Sequence, residues 1–180
     1  MKQQLQETVE VPEGVTVTYE NKVFTAKGPQ GEVSRTIYHP KILIRASQKE
    51  ITFDVPVATQ REKRQAYTLR AHIRNVLRGV TEKHVYKLKI CSGHFPMNVS
   101  LSNGVFTVKN FLGEAVPRTL KLKKGVDVKL DGDIIEVSSV NIELAGSQAS
   151  DIEQLTRITN RDRRIFQDGI FIIQKDGVEL

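Results

Sequence analysis

Hydrophobic and polar positions alternate from Val15 to Glu20, with Val15, Val17 and Tyr19 separated by threonines, and Val23, Phe24 and Thr25 follow Asn21 and Lys22. A period of two on both sides of a short Asn-containing turn predicts a β-hairpin. Further strands are expected near Ile42 to Ile44 and Ile51 to Phe53. The period then lengthens to about 3.6: Ala66, Leu69, Ile73, Val76, Leu77 and Val80 fall on one face of a helix. Thr59 and Glu62 form a capping box at its start, and Gly79 marks its expected end.

The same succession returns. Val17 to Val33 aligns without a gap on Val99 to Ala115 at an offset of 82, with identities at Val17, Asn21, Val23, Phe24, Thr25, Lys27, Gly31 and Glu32. Eight identities in these seventeen positions point to an internal repeat rather than to chance. The Arg35 and Thr36 pair recurs at Arg118 and Thr119 after a one-residue slip. In the second copy the turn is Asn103-Gly104, the stronger hairpin signal, and strands follow near Val126 to Leu130 and Ile134 to Val137 across Asp131-Gly132. A second capping box, Ser150 and Glu153, opens the second helix, with Ser147 as an alternative start one turn earlier. The expected fold is α+β: two tandem homologous domains, residues 1–82 and 83–180, each a small, mainly antiparallel sheet with one helix on a face.

Composition narrows the function classes. A hydrophobic fraction of 39% in 180 residues is enough for a real core. The 27 Lys and Arg against 21 Asp and Glu give +6, which favours a polyanionic partner. Ten N-terminal residues without an apolar run argue against a signal peptide, and no segment approaches the ~20 apolar residues of a membrane span. A soluble, cytoplasmic protein is expected. The lone cysteine, Cys91, cannot make an internal disulfide, and His39, His72, His84 and His94 lack metal-ligand spacing, so neither metal nor cofactor is expected.

Catalytic patterns are weak. Cys91 and His94 could form a nucleophile and base, but they lie three apart where a strand leads into Ser92 to Pro96, and alternation points neighbours to opposite faces. Asp131 and Asp133 read as turn residues, and Gly28 to Glu32 (GPQGE) reads as a tight connection rather than a phosphate loop, because no Lys-Ser/Thr follows it. The expectation is a protein without catalytic residues.

Positive charge is more informative in its local density than in bulk. Residues 1–82 hold 13 basic and 9 acidic side chains and the remainder 14 and 12. Arg70, Arg74 and Arg78 recur every fourth residue, a stripe compatible with protein, RNA or solvent. Lys121, Lys123 and Lys124 cluster in the second half, and Lys83, Lys87 and Lys89 alternate along a strand. The densest group is Arg157, Arg161, Arg163 and Arg164, offset only by Asp162. Guanidinium forks suit phosphate, so this group favours folded RNA. His94 and Phe95 are candidates for stacking on or bonding to nucleotides.

The tandem arrangement, GPQGE in the first half, SGHFPMNV at Ser92 to Val99, and NRDRRIFQDGIF at Asn160 to Phe171 together resemble large-subunit ribosomal protein six in its archaeal form. The resemblance covers essentially the whole chain. It implies a non-enzymatic protein whose second domain makes the main contacts with large-subunit (23S) rRNA, beside the sarcin-ricin loop, with neighbouring ribosomal proteins and translation factors as further partners. Bacterial members carry a Lys-Gly-rich stretch where this chain has Asn160 to Gly169, so the RNA-binding role is carried onto Arg161, Arg163 and Arg164. Arg157, Lys109, Lys121, Lys123, Lys124, His94 and Phe95 complete the expected rRNA contacts. The alternatives are a non-ribosomal RNA- or protein-binding module, or an enzyme using Cys91 and His94.

Overall fold

The computed structural model describes residues 3–180, which form two compact units, the chain up to Lys83 and His84–Leu180. In the first, β1 (Gln3–Glu10), β2 (Thr16–Glu20), β3 (Val23–Gly28), β4 (Gly31–Thr36), β5 (Leu43–Ala46) and β6 (Glu50–Ala58) precede α1 (Gln60–Thr81). The strands make two antiparallel sheets, β1-β6-β5 and β2-β3-β4, and α1 packs on strands of both. Its core is Phe24, Ile51, Phe53, Val55, Ala66, Ile73 and Val80, all fully buried.

The second unit repeats the plan with additions. It holds β7 (His84–Cys91), β8 (Asn98–Ser102), β9 (Val105–Lys109), β10 (Arg118–Lys121), β11 (Asp127–Asp131), β12 (Ile134–Ser139), α2 (Ile142–Leu155), β13 (Gly169–Lys175) and β14 (Val178–Glu179). The meander β8-β9-β10 matches β2-β3-β4, while β13 and β14 extend the other sheet to the order β11-β12-β7-β13-β14. Leu88, Phe106, Val108, Ile135, Val137, Ala149, Ile152 and Ile170 form the centre of its core.

The repeat is physical as well as textual. Asn21 and Lys22 have φ of 50° and 67°, and Asn103 and Gly104 have 50° and 72°, so both hairpins turn through two left-handed residues whose twist suits the strands. Each turn is held by the residue just past the third strand of its meander: Ile37 N–H, after β4, donates to the Lys22 carbonyl, and Leu122 N–H, after β10, to that of Gly104, both at 2.8 Å. Leu122 minus Ile37 gives 85, so three residues have entered since the offset of 82. They lie in the connection after β9, where Asn110, Leu112 and Gly113 have φ of 59°, 49° and 79° around a 3-10 turn. The first copy closes there in a two-residue turn between the paired Gly28 and Gly31. This insertion corrects the Arg-Thr equivalence: Arg35 lies opposite Phe24, whereas Arg118 lies opposite Val108, the partner position of Ala26.

Both helix boundaries are revised in part. The capping box of Thr59 and Glu62 opens α1, but the helix runs two residues past the buried Gly79 and ends where Glu82 N–H donates to the Arg78 carbonyl. α2 starts well before Ser147 and Ser150, at an Asn141 cap whose Oδ1 accepts from Glu143 N–H at 2.9 Å. Its inward stripe, Ala145, Gln148, Ala149 and Ile152, begins upstream of both serines, and small residues and a buried glutamine carry little hydrophobic signal. Its end at Leu155 leaves residues 156–168 as a long connection to β13.

Candidate nucleic-acid interface

That connection is anchored by side chains on regular elements. Thr156 Oγ1 accepts from Ile170 N–H at 2.9 Å, and Glu153 Oε1 from Ile172 N–H at 3.0 Å, fastening the end of α2 to β13. Arg118 on β10 closes the first turn of the connection by donating Nη1 to the carbonyls of Leu155 (2.8 Å) and Arg157 (3.2 Å). Its other donors reach Glu114 at 2.8 and 2.5 Å, and it lies 4.4 Å from the centroid of the Phe111 ring. Hydrogen bonding to Arg118 holds the Glu114 carboxyl below the ordinary carboxylate range.

Asp168 fixes the other end. Its Oδ1 accepts from the N–H groups of Gly93 (2.5 Å) and His94 (2.9 Å), and its Oδ2 lies 2.6 Å from His94 Nδ1. The residue is 2% exposed. Burial pushes its pKa up, but the His94 amide and ring and the Gly93 amide outweigh that, leaving it below the ordinary value. One carboxylate thereby ties the loop after β7 to the segment before β13.

Between these anchors lies a cleft of about 1190 Å³. His94, Arg157, Arg163, Arg164, Phe166 and Asp168 are among its walls. The Phe166 ring lies 4.8 Å from that of His94 and 4.9 Å from the Arg161 guanidinium. Arg164 turns back on Asp162, whose Oδ1 accepts from its backbone N–H (2.9 Å) and Nε (3.2 Å) and whose Oδ2 accepts from Nη2 (2.9 Å). The expected arginines therefore differ: Arg164 is paired locally, Arg161 lies on an aromatic ring, and the exposed Arg157 and Arg163 line the cleft.

The remaining candidates are scattered. Lys109 is exposed on β9, and Lys121 ends β10. Lys123 bonds Ser147 Oγ and pairs with Asp151 at 2.6 Å, while Lys124 is exposed beside it. Phe95 is 44% exposed, with the backbone of Gly113 beside its ring. Cys91 also lines the cleft, but the contacts of the His94 ring run to Asp168 and Phe166, and among the described residues no hydrogen bond joins it to the thiol. No group of three or more His, Cys, Asp or Glu side chains able to hold a metal occurs among the described residues.

Asp168 and Arg118 were not candidates from sequence. A single aspartate or arginine carries no pattern, and their partners stand 74 and 37 residues away.

Fold and cleft together define a tandem-repeat α+β protein that concentrates arginines on a loop braced at both ends. The family model described as ribosomal protein L6 matches residues 11–83 and 95–169, and the chain belongs to that family. It is 41% identical to the large ribosomal subunit protein uL6 of Methanosarcina mazei, over 97% of this chain and 99% of that one. The uL6 proteins of Methanobrevibacter smithii (38%, over 96% and 97%) and Nanoarchaeum equitans (43%, over 94% and 92%) are similarly related along most of their length.

Proposed function

We propose that the chain is a structural, non-catalytic constituent of the large ribosomal subunit in the cytoplasm, and that its second unit, more than the first, holds the large-subunit rRNA. The observation that carries the site is the braced connection 156–168, which displays Arg157, Arg161 and Arg163 around one cleft. A polyanion gains from cations carried on a loop already held at both ends, because little loop freedom is lost on contact. Phe166 and His94 offer ring faces beside those cations, the combination that suits an unpaired or bulged nucleotide. Lys121, Lys124 and Lys109 extend the positive surface, and Phe95 adds an exposed ring. The same proposal places the chain beside the sarcin-ricin loop, near bound translation factors and among neighbouring ribosomal proteins, a placement supported by its membership of the ribosomal protein L6 family.

Changing Arg157, Arg161 and Arg163 together to Ala is expected to weaken binding to large-subunit rRNA. Each lost phosphate contact removes roughly one unit from the slope of log affinity against log salt, so the slope should flatten by about 3. Binding titrations across a salt series on the full chain read this directly. An unchanged slope would remove these residues from the interface.

A further inference from the structure

The loop just described leaves the charge of the first unit unused. α1 carries six Lys or Arg within Gln60–Thr81 and one acid, Glu62. That acid is buried and occupied: it closes the capping box with Thr59 and accepts from Lys41 Nζ at 3.0 Å, which hold its pKa down to about 2. The helix itself contains no other acid.

Helical geometry sorts those residues by face. Ala66, Ile73, Val76, Leu77 and Val80 are buried, and at 100° per residue the opposite side presents Arg64, Tyr67, Ala71, Arg74 and Arg78, all exposed. Tyr67 is 47% exposed in the midst of the arginines. Arg70 lies off this ridge and is ion-paired with Glu7 at 2.8 Å. It shares a groove of about 430 Å³ with Arg74, Arg78 and the β1 residues Thr8 to Glu10. Glu10 on the groove wall repels an anion, so the outer ridge, rather than the groove, is the cationic surface.

We propose that this ridge is a second RNA-contacting surface, lying along a sugar-phosphate backbone with Tyr67 stacked on a base. The inference rests on the rRNA-binding reading above and extends it to the first unit. Arg64 to Arg78 spans about 21 Å at 1.5 Å per residue, long enough to meet several successive phosphates. The ridge uses arginine throughout, whose planar fork matches phosphate oxygens. A solvated helix gains nothing from an exposed aromatic ring among like charges, whereas a strand of nucleotides gains both pairing with the charges and stacking on the ring.

The test is binding of the full chain to deproteinised archaeal large-subunit rRNA, with chemical footprinting. Arg64→Ala/Arg74→Ala/Arg78→Ala is expected to flatten the salt slope by about 3 and weaken binding on the order of 10- to 100-fold at physiological salt. The three Lys replacements should keep most of the slope. Tyr67→Ala should weaken binding about 5-fold or more, with Tyr67→Phe restoring it. The nucleotides deprotected should differ from those lost with Arg157→Ala/Arg161→Ala/Arg163→Ala. A helical, folded α1 variant with the parent slope and footprint overturns the inference, and does so equally if that variant instead loses a crosslink to a neighbouring ribosomal protein. Because the loop variant is measured alongside, failure of the ridge alone leaves the first reading standing, and failure of both removes it too.

Discussion

Asp168 shows how one buried side chain can set the geometry of the surface around it. Its carboxylate is buried and accepts two amides and an imidazole from a loop more than seventy residues earlier in the chain. Asp168→Ala would leave those donors without their acceptor, and a lost bond to a charged group of this kind costs roughly 2–3 kcal/mol. Denaturant melts of the parent and variant are expected to differ by about that amount, with RNA affinity falling because the loop arginines lose their brace. The folded-state pKa of Asp168 lies below its unfolded value near 3.9, so its contribution is full above that value and is lost as pH falls through the depressed one. The difference between parent and Asp168→Ala should therefore be present at pH 5 to 7 and shrink below about pH 4.

At the scale of elements, the connection between β3 and β4 illustrates why an unremarkable GPQGE segment is needed. Gln30 N–H donates to the Val80 carbonyl at 3.0 Å, docking the turn on the last turn of α1. A Cβ on Gly28 would sit 2.6 Å from that same carbonyl oxygen, which is backbone and cannot swing aside. Gly28→Ala is expected to destabilise the first unit by about 2 kcal/mol or more, read as loss of amide-exchange protection at Gln30 and along the end of α1. The hairpins themselves were legible from sequence, because a two-residue turn and alternating apolar positions are local properties. The start of α2 was not, since its inward face is built from alanines and a buried glutamine whose Oε1 accepts from Lys123 N–H at 2.8 Å. The three residues added after β9 were hidden as well, because the Arg-Thr pair recurred near the expected place in a different register.

For the whole molecule, two self-contained units sharing one plan raise the question of how binding is divided between them. Each has its own core and strands that pair only within the unit, so a fragment from His84 to Leu180 is expected to fold alone. It should retain the footprint that depends on Arg157, Arg161 and Arg163 while losing the part that depends on α1. Footprinting the fragment against the full chain checks this, and a fragment that folds but protects nothing would count against the second unit as the main contact. The chain by itself determined the repeat, the hairpins, the first helix and the place where arginines crowd, because each is written in neighbouring residues or in a constant offset. Only the tertiary structure decided that Arg164 folds back to pair with Asp162, that Arg118 and Asp168 brace the loop, and that the cleft lies between them. The Arg118 and Asp168 bonds join residues tens of positions apart, and even the short-range Asp162 pairing depends on how the loop folds, so none is specified by local pattern alone.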